Sequence, residues 1–105
     1  MGAFVYILRC SDGSYYVGTT RDTLDRRVNE HNAGAFPRGY TKSRRPVELV
    51  FHQEFQQITD AIAAEQRLKG WSRAKKEALV AGDFERLKEL AVAYAKRPHP
   101  STGSG

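Results

Sequence analysis

The first twenty residues constrain the fold most. Residues 3–9 (AFVYILR) are a run of β-branched, aromatic and aliphatic side chains ending in Arg9, the pattern of a buried strand. Ser11-Asp12-Gly13-Ser14 follows as a tight turn, with Asp-Gly supplying the positive φ that a hairpin needs. Residues 15–19 (YYVGT) return as a second strand. The chain therefore opens with an antiparallel hairpin carrying Tyr6, Tyr15 and Tyr16.

Beyond the hairpin, Asp22 or Thr23 can cap a helix that runs to about Asn32, with Gly34 as its stop. Leu24, Val28 and His31 share one face of that helix, and Arg27 lies beside them. Residues 33–45 (AGAFPRGYTKSRR) contain Gly, Pro, the four basic residues Arg38, Lys42, Arg44 and Arg45, and no acid, which predicts a loop. Pro46 then starts a third strand over 47–55, in which Val47, Leu49 and Phe51 alternate with polar positions. Thr59 as N-cap predicts a helix over 60–70, and Ser72 one to Ala81. A last helix over 84–96 carries the stripe Phe84, Leu87, Leu90, Ala91 and Tyr94. Pro98 and Pro100 stop it, so 1–97 is expected as one domain and 98–105 as a disordered tail. The order β-β-α-β-α-α-α gives an α+β domain with a small three-stranded, mostly antiparallel sheet flanked by helices.

Composition narrows the function. With 105 residues there is room for one domain, and 40% hydrophobic residues make the chain too apolar to be disordered. The longest apolar run, Ala3 to Leu8, is far short of the roughly 18–20 residues of a membrane span. It also lacks the flanks of a signal peptide. The expectation is a cytoplasmic protein without a membrane partner. A single cysteine, Cys10, excludes an internal disulfide framework and a four-cysteine zinc cage, and reads as a small apolar filler at a strand end. His31, His52 and His99 lack zinc-ligand spacing, and no nucleophile elbow or phosphate-binding glycine loop is present. Against 12 acids stand 17 Lys and Arg residues, for a net charge of +5. That excess favours a polyanionic partner, nucleic acid first.

Four groups of residues do not fit a plain core. Glu65 lies in the middle of an apolar face formed by Ile58, Ala61, Ile62 and Leu68. An unpaired carboxylate there would cost several kcal/mol. It must be paired with Lys69 or Arg67, bound to a metal, or placed at the floor of an opening, unless the face boundary lies elsewhere. Arg27 offers a rigid fork of donors suited to phosphate oxygens, or else a salt bridge to Asp25, Glu30 or a strand acid. His31 is either a site residue or a partner for the helix C-terminal dipole. Tyr6 and Tyr16 can face the same side of the hairpin, as reactive phenols or as ordinary cross-strand packing. Two basic tracts are interleaved with aromatics. Arg38, Lys42, Arg44 and Arg45 surround Tyr40, and Arg67, Lys69, Arg73, Lys75 and Lys76 surround Trp71. Such tracts suit a phosphate backbone and an unstacked base, or form a solvated face with a packed Trp71.

These residues together resemble the GIY-YIG nucleases. Phe4-Val5-Tyr6 stands where the first motif would be and Tyr16-Val17-Gly18 where the second would be. Leu24-Asp25-Arg26-Arg27-Val28, followed by His31-Asn32, resembles the family's arginine-bearing helix. Arg26 and Arg27 compete for the arginine slot, and Arg27 is favoured by its spacing from Leu24 and His31. Tyr40-Thr41-Lys42 through Arg45-Pro46, and Ala64-Glu65 through Leu68-Lys69, resemble the small single-domain bacterial members. The likeness covers roughly residues 3–80 and departs at Phe4, where the family's name has glycine.

The resemblance implies a metal-dependent endonuclease that hydrolyses phosphodiester bonds in DNA, with RNA left open as a substrate. A single small domain predicts low sequence specificity, and a preference for branched, flapped or nicked DNA in repair or recombination is left open. Glu65 would hold one Mg²⁺ or Mn²⁺ ion and Arg27 the scissile phosphate. Tyr6 would be the general base, its pKa lowered from roughly 10 by cationic neighbours. Tyr16 would position water or phosphate, and the two tyrosines can exchange roles. His31 would relay the proton. Tyr40, Lys42, Arg44, Arg45 and Lys69 would bind substrate. The alternative is a nucleic-acid-binding module on the same fold that does not cut. A protein-interaction domain with a basic face is a third reading.

Overall fold

The computed structural model describes residues 2–36 and 39–95, with side chains through Leu90. Arg38 and the expected tail at 98–105 lie outside the described residues. The chain forms two compact units, one ending at Gly70 and one beginning at Trp71. The first contains strands β1 (Ala3–Arg9), β2 (Tyr15–Thr20) and β3 (Glu48–Phe55), with helices α1 (Leu24–Asn32) and α2 (Ile58–Lys69). The second contains helices α3 (Arg73–Ala81) and α4 (Phe84–Ala95). The class is α+β, in the expected order.

The sheet order is β2-β1-β3, antiparallel throughout. The long apolar run takes the centre. Val5, Tyr6, Ile7 and Leu8 are consecutive and all at most 2% exposed, so both faces of β1 are covered. Each such aliphatic side chain contributes about 1.5–3 kcal/mol of transfer free energy. On one face Tyr6, Leu8, Cys10 and Val47 form a buried cluster, against which Tyr16, Leu24, Val28 and Leu49 pack. Burial raises the Cys10 thiol pKa, which suits an inert filler. The hairpin turn is closed by Asp12, whose Oδ1 accepts from both the Ser14 amide and hydroxyl, with Gly13 at φ +84°.

Several boundaries differ from the sequence reading for local reasons. The third strand begins at Glu48, because the Val47 backbone pairs with the Asn32 side chain instead. Val47 N–H donates to Asn32 Oδ1 at 2.7 Å, and Asn32 Nδ2 donates to Val47 carbonyl at 3.1 Å. This pair ties the end of α1 to the start of β3. The simple alternation in β3 is broken because Ile7 opposes Phe51 and Leu8 opposes Leu49, which leaves Val50 as a bulge. Thr23, not Asp22, caps α1 by accepting from Arg26 N–H at 3.2 Å. Helix α2 begins two residues before the expected start. Its N-cap is Gln57, with no side-chain bond, and Thr59 lies inside the first turn. In the second unit Ser72 caps α3 as expected, and Gly82 ends it at φ +71°. Phe84 is 64% exposed, so the expected stripe on α4 is not packed at its first position.

None of the described helices is long and apolar enough to cross a membrane.

The Asn32–Val47 clamp has a measurable consequence. Asn32→Asp removes the donor and leaves the Val47 carbonyl without its partner. Urea unfolding is expected to show a loss of about 1–3 kcal/mol. An unchanged midpoint would contradict the clamp.

Candidate active site

Tyr6 pairs with Gly18 across the hairpin. A Cβ at position 18 would stand 2.6 Å from the Tyr6 hydroxyl and 2.9 Å from Cε2 of Tyr16. Both phenols therefore lie over this stretch of backbone only because it carries no side chain. Their ring centroids are 6.3 Å apart, so the two tyrosines share a face.

The Tyr6 hydroxyl lies 3.2 Å from His31 Nε2, and His31 Nδ1 lies 2.7 Å from Thr41 Oγ1. His31 and Thr41 are buried. Two proton arrangements satisfy this chain: either the phenol donates to Nε2 and Nδ1–H to Thr41, or both bonds run the other way. Burial lowers the His31 pKa, with Arg27 as a second cause, so the imidazole is neutral at pH 7. For Tyr6 the expected lowering is reversed. Desolvation, then Tyr16, pushes the phenol well above its ordinary value, and Arg27 opposes that rise without overcoming it. Glu65 and Glu30 add to the rise. The phenol thus lies within electrostatic reach of both the α1 arginine and the α2 glutamate.

The rival arginines separate by burial. Arg26 has a 69% exposed side chain and pairs with Asp22 and Glu30. Arg27 is 26% exposed and turned inward. Its Nη2 donates to Thr20 Oγ1 at 3.2 Å, Nη1 lies 3.6 Å from Glu30, and its guanidinium carbon sits 5.3 Å from the Phe36 ring centroid. Its Nε is buried with no hydrogen-bond partner. A buried donor left without a partner costs about 1–3 kcal/mol.

Glu65 is not in the middle of the apolar face. The buried face of α2 runs through Ala61, Ala64 and Leu68, whereas Ile62 is 42% exposed. Glu65 stands at the margin with a 15% exposed side chain, and its Oε2 pairs with Lys69 at 3.1 Å. Among the described residues no group of three or more His, Cys, Asp or Glu gathers to hold a metal. A single carboxylate nevertheless fits a hydrated Mg²⁺ or Mn²⁺, which keeps most of its waters.

The loop residues divide into two sets. Tyr40, 42% exposed, stacks on Tyr16 with centroids 6.2 Å apart. Arg44 lies 3.9 Å over the Tyr40 ring centroid, donates to the Tyr40 carbonyl, and pairs with Asp12 at 3.0 Å. Arg44 therefore straps the loop to the hairpin turn rather than standing free for substrate. Arg45 donates to the carbonyls of Lys42 and Asn32. Lys42 and Arg45 line a separate pocket of about 460 Å³ with Asn32, Ser43 and Pro46. In the second unit Lys75 Nζ sits 4.6 Å from the Trp71 ring centroid.

Comparison with known proteins decides the family. The GIY-YIG catalytic domain model matches residues 2–78. The chain belongs to the GIY-YIG family. A UPF0213 protein from Halobacterium salinarum is 49% identical over 75 residues, which cover 71% of this chain and 95% of that one. UPF0213 protein YazA of Bacillus subtilis is 40% identical over 96 residues, covering 91% and 92%. The solution structure of UPF0213 protein BH0048 from Bacillus halodurans matches with TM-score 0.50 and 41% identity, over 86% of this chain and 97% of that one. The solution structure of EF2693 from E. faecalis matches with TM-score 0.51 and 30% identity, over 94% and 93%.

Within this GIY-YIG unit, Thr20 and Phe36 touch the site without a sequence signal of their own, and Thr41 lies in the Tyr40-Thr41-Lys42 stretch, which marks no role for it. Thr20 and Thr41 are polar residues that become buried only through the tertiary fold, and no periodicity marks Phe36 in its loop. Gly18 stood in the second motif, but its steric role depends on the register with Tyr6.

His31 supplies a pH test. Its folded pKa lies below the unfolded value of about 6.5. Its contribution to stability is therefore complete above that value and lost as pH falls through the folded pKa. NMR titration should place the His31 midpoint below 6.5. Melting temperature should fall between about pH 7 and 5 more steeply in the parent than in His31→Gln. A midpoint at or above 6.5 would contradict the buried neutral imidazole.

Proposed function

We propose that this GIY-YIG protein is a divalent-metal-dependent endonuclease that hydrolyses phosphodiester bonds in DNA. The observation that carries the reading is the set of groups around one phenol: Tyr6 bonded to neutral His31, with Arg27 and Glu65 both acting on its charge.

Each group has a task that its surroundings suit. Arg27 binds the scissile phosphate through its partly exposed guanidinium, its plane fixed by Thr20, Glu30 and Phe36. Tyr6 accepts a proton from the attacking water as its own proton passes to His31 Nε2, so no free tyrosinate forms. That transfer uses the tautomer in which Nδ1–H rests on Thr41 and ends with an imidazolium. A phenol whose pKa is raised suits this concerted exchange better than prior ionisation. Tyr16 covers His31 with ring centroids 5.2 Å apart and positions the water or the phosphate. Glu65 would hold the hydrated ion, which when bound supplies Lewis-acid stabilisation of the leaving 3′ oxygen.

One observation favours the binding-only reading: the carboxylate of Glu65 is already paired with Lys69. The two separate by experiment. Purified protein with Mg²⁺ or Mn²⁺ should cleave one or more members of a panel of duplex, nicked, flapped and branched DNA and RNA. Chelation and Glu65→Ala should abolish cleavage while DNA binding persists. Arg27→Ala should lower the rate by about 10²–10³-fold. Cleavage that survives Glu65→Ala and chelation contradicts the mechanism. Salt-sensitive binding without cutting under any metal would give the module reading instead.

A further inference from the structure

We propose that Lys42 and Arg45 form a second phosphate-binding subsite, which grips a nucleic-acid backbone phosphate that is not cleaved. The inference rests on the nucleic-acid reading above and adds to it a site apart from the Tyr6 centre. Arg45 Nη1 lies 2.9 Å, and Lys42 Nζ 3.4 Å, from the position that a Cβ on Gly34 would take. Two cations thus converge over the bare face of a glycine that is held at φ +74°. They line a pocket of about 460 Å³ with Asn32, Ser43 and Pro46. Like charges brought this close repel, and among the described residues no acid pairs with either.

The carbonyls at the end of α1 account for only half of this. Arg45 donates to Asn32 carbonyl at 3.1 Å and to Lys42 carbonyl at 2.9 Å, which fixes its guanidinium and leaves its remaining N–H donors for a ligand. Lys42 is exposed, and among the described residues its ammonium makes no hydrogen bond or ion pair, so the helix end does not explain its position. A phosphate group meets both needs, because it neutralises the pair and accepts from a fork and an ammonium together. The subsite also adjoins the centre along the chain. Asn32 follows His31, and Lys42 follows Thr41, the two residues that continue the hydrogen-bond chain from Tyr6. A strand gripped at Lys42 is thereby set in register with that chain.

The test is DNA binding in EDTA, read by anisotropy across a salt series, beside an NMR titration with inorganic phosphate at matched ionic strength. Lys42→Gln removes a charge with no structural partner. It should weaken DNA binding about 3–10-fold and reduce the salt slope by about one. Arg45→Lys should give an intermediate loss while its fold is checked by NMR. DNA should shift the Gly34 and Ser43 amides in the parent and not in Lys42→Gln. A parent that binds DNA while Lys42→Gln keeps its affinity and slope overturns the subsite alone. Shifts at Gly34 with inorganic phosphate and none with DNA overturn its nucleic-acid assignment. A parent that binds no DNA overturns both the subsite and the nuclease reading.

Discussion

The site depends on the pairing of Tyr6 with Gly18. One residue of register shift would carry the phenol to the other face of the sheet. One methyl group at position 18 would collide with its hydroxyl. The antiparallel hairpin supplies the register, and the Asp12–Gly13 turn fixes it. With the phenol laid across bare backbone, His31 of α1 meets it from one side and Tyr16 closes over both rings. The remaining site contacts hold these rings in place. Thr41 holds the far nitrogen of His31, and the Asp12–Arg44–Tyr40 strap holds the ring stacked on Tyr16.

Burial and charge oppose each other at the centre, and burial prevails. Arg27 alone would lower the Tyr6 pKa, yet the phenol sits above its ordinary value, and His31 sits below its own. Both rings are therefore neutral near pH 7. In the proposed exchange the phenol stays neutral and the proton ends on His31, whose charged form burial disfavours. The fixed charges, Arg27 and Glu65, keep 26% and 15% of their side chains exposed, and each is paired, Arg27 with Glu30 and Glu65 with Lys69.

The sequence disclosed a good deal of this, and the failures have physical causes. The apolar run, the Asp-Gly turn and the cap at Ser72 are local signals, and the structure follows them closely. Leu24, Val28 and His31 share a face, as their spacing required. Helix α2 was less legible. Ile62 extends the apolar pattern beyond the face that packs, which puts Glu65 in the middle of the pattern although it stands at the edge of the packed face. The start of α2 has no side-chain signal, because Gln57 caps it with backbone alone. The direction of the Tyr6 shift could not be read at all, since it depends on how deeply the ring is buried. Nor could the division of the loop cations, where Arg44 and Arg45 hold backbone and ring while the Lys42 ammonium has no partner among the described residues. Basic residues close in sequence look equivalent until the fold assigns their partners.

The central claim is that the α2 acid, the α1 arginine and the two phenols share a single centre. Paramagnetic Mn²⁺ titrated into the full chain and followed by NMR tests it most directly. At low metal, line broadening should begin at Glu65, extend to the Tyr6 and Tyr16 rings and the Arg27 side chain, and vanish in Glu65→Gln. Broadening that gathers at another acid, or that touches Glu65 and leaves both phenols sharp, would contradict the account.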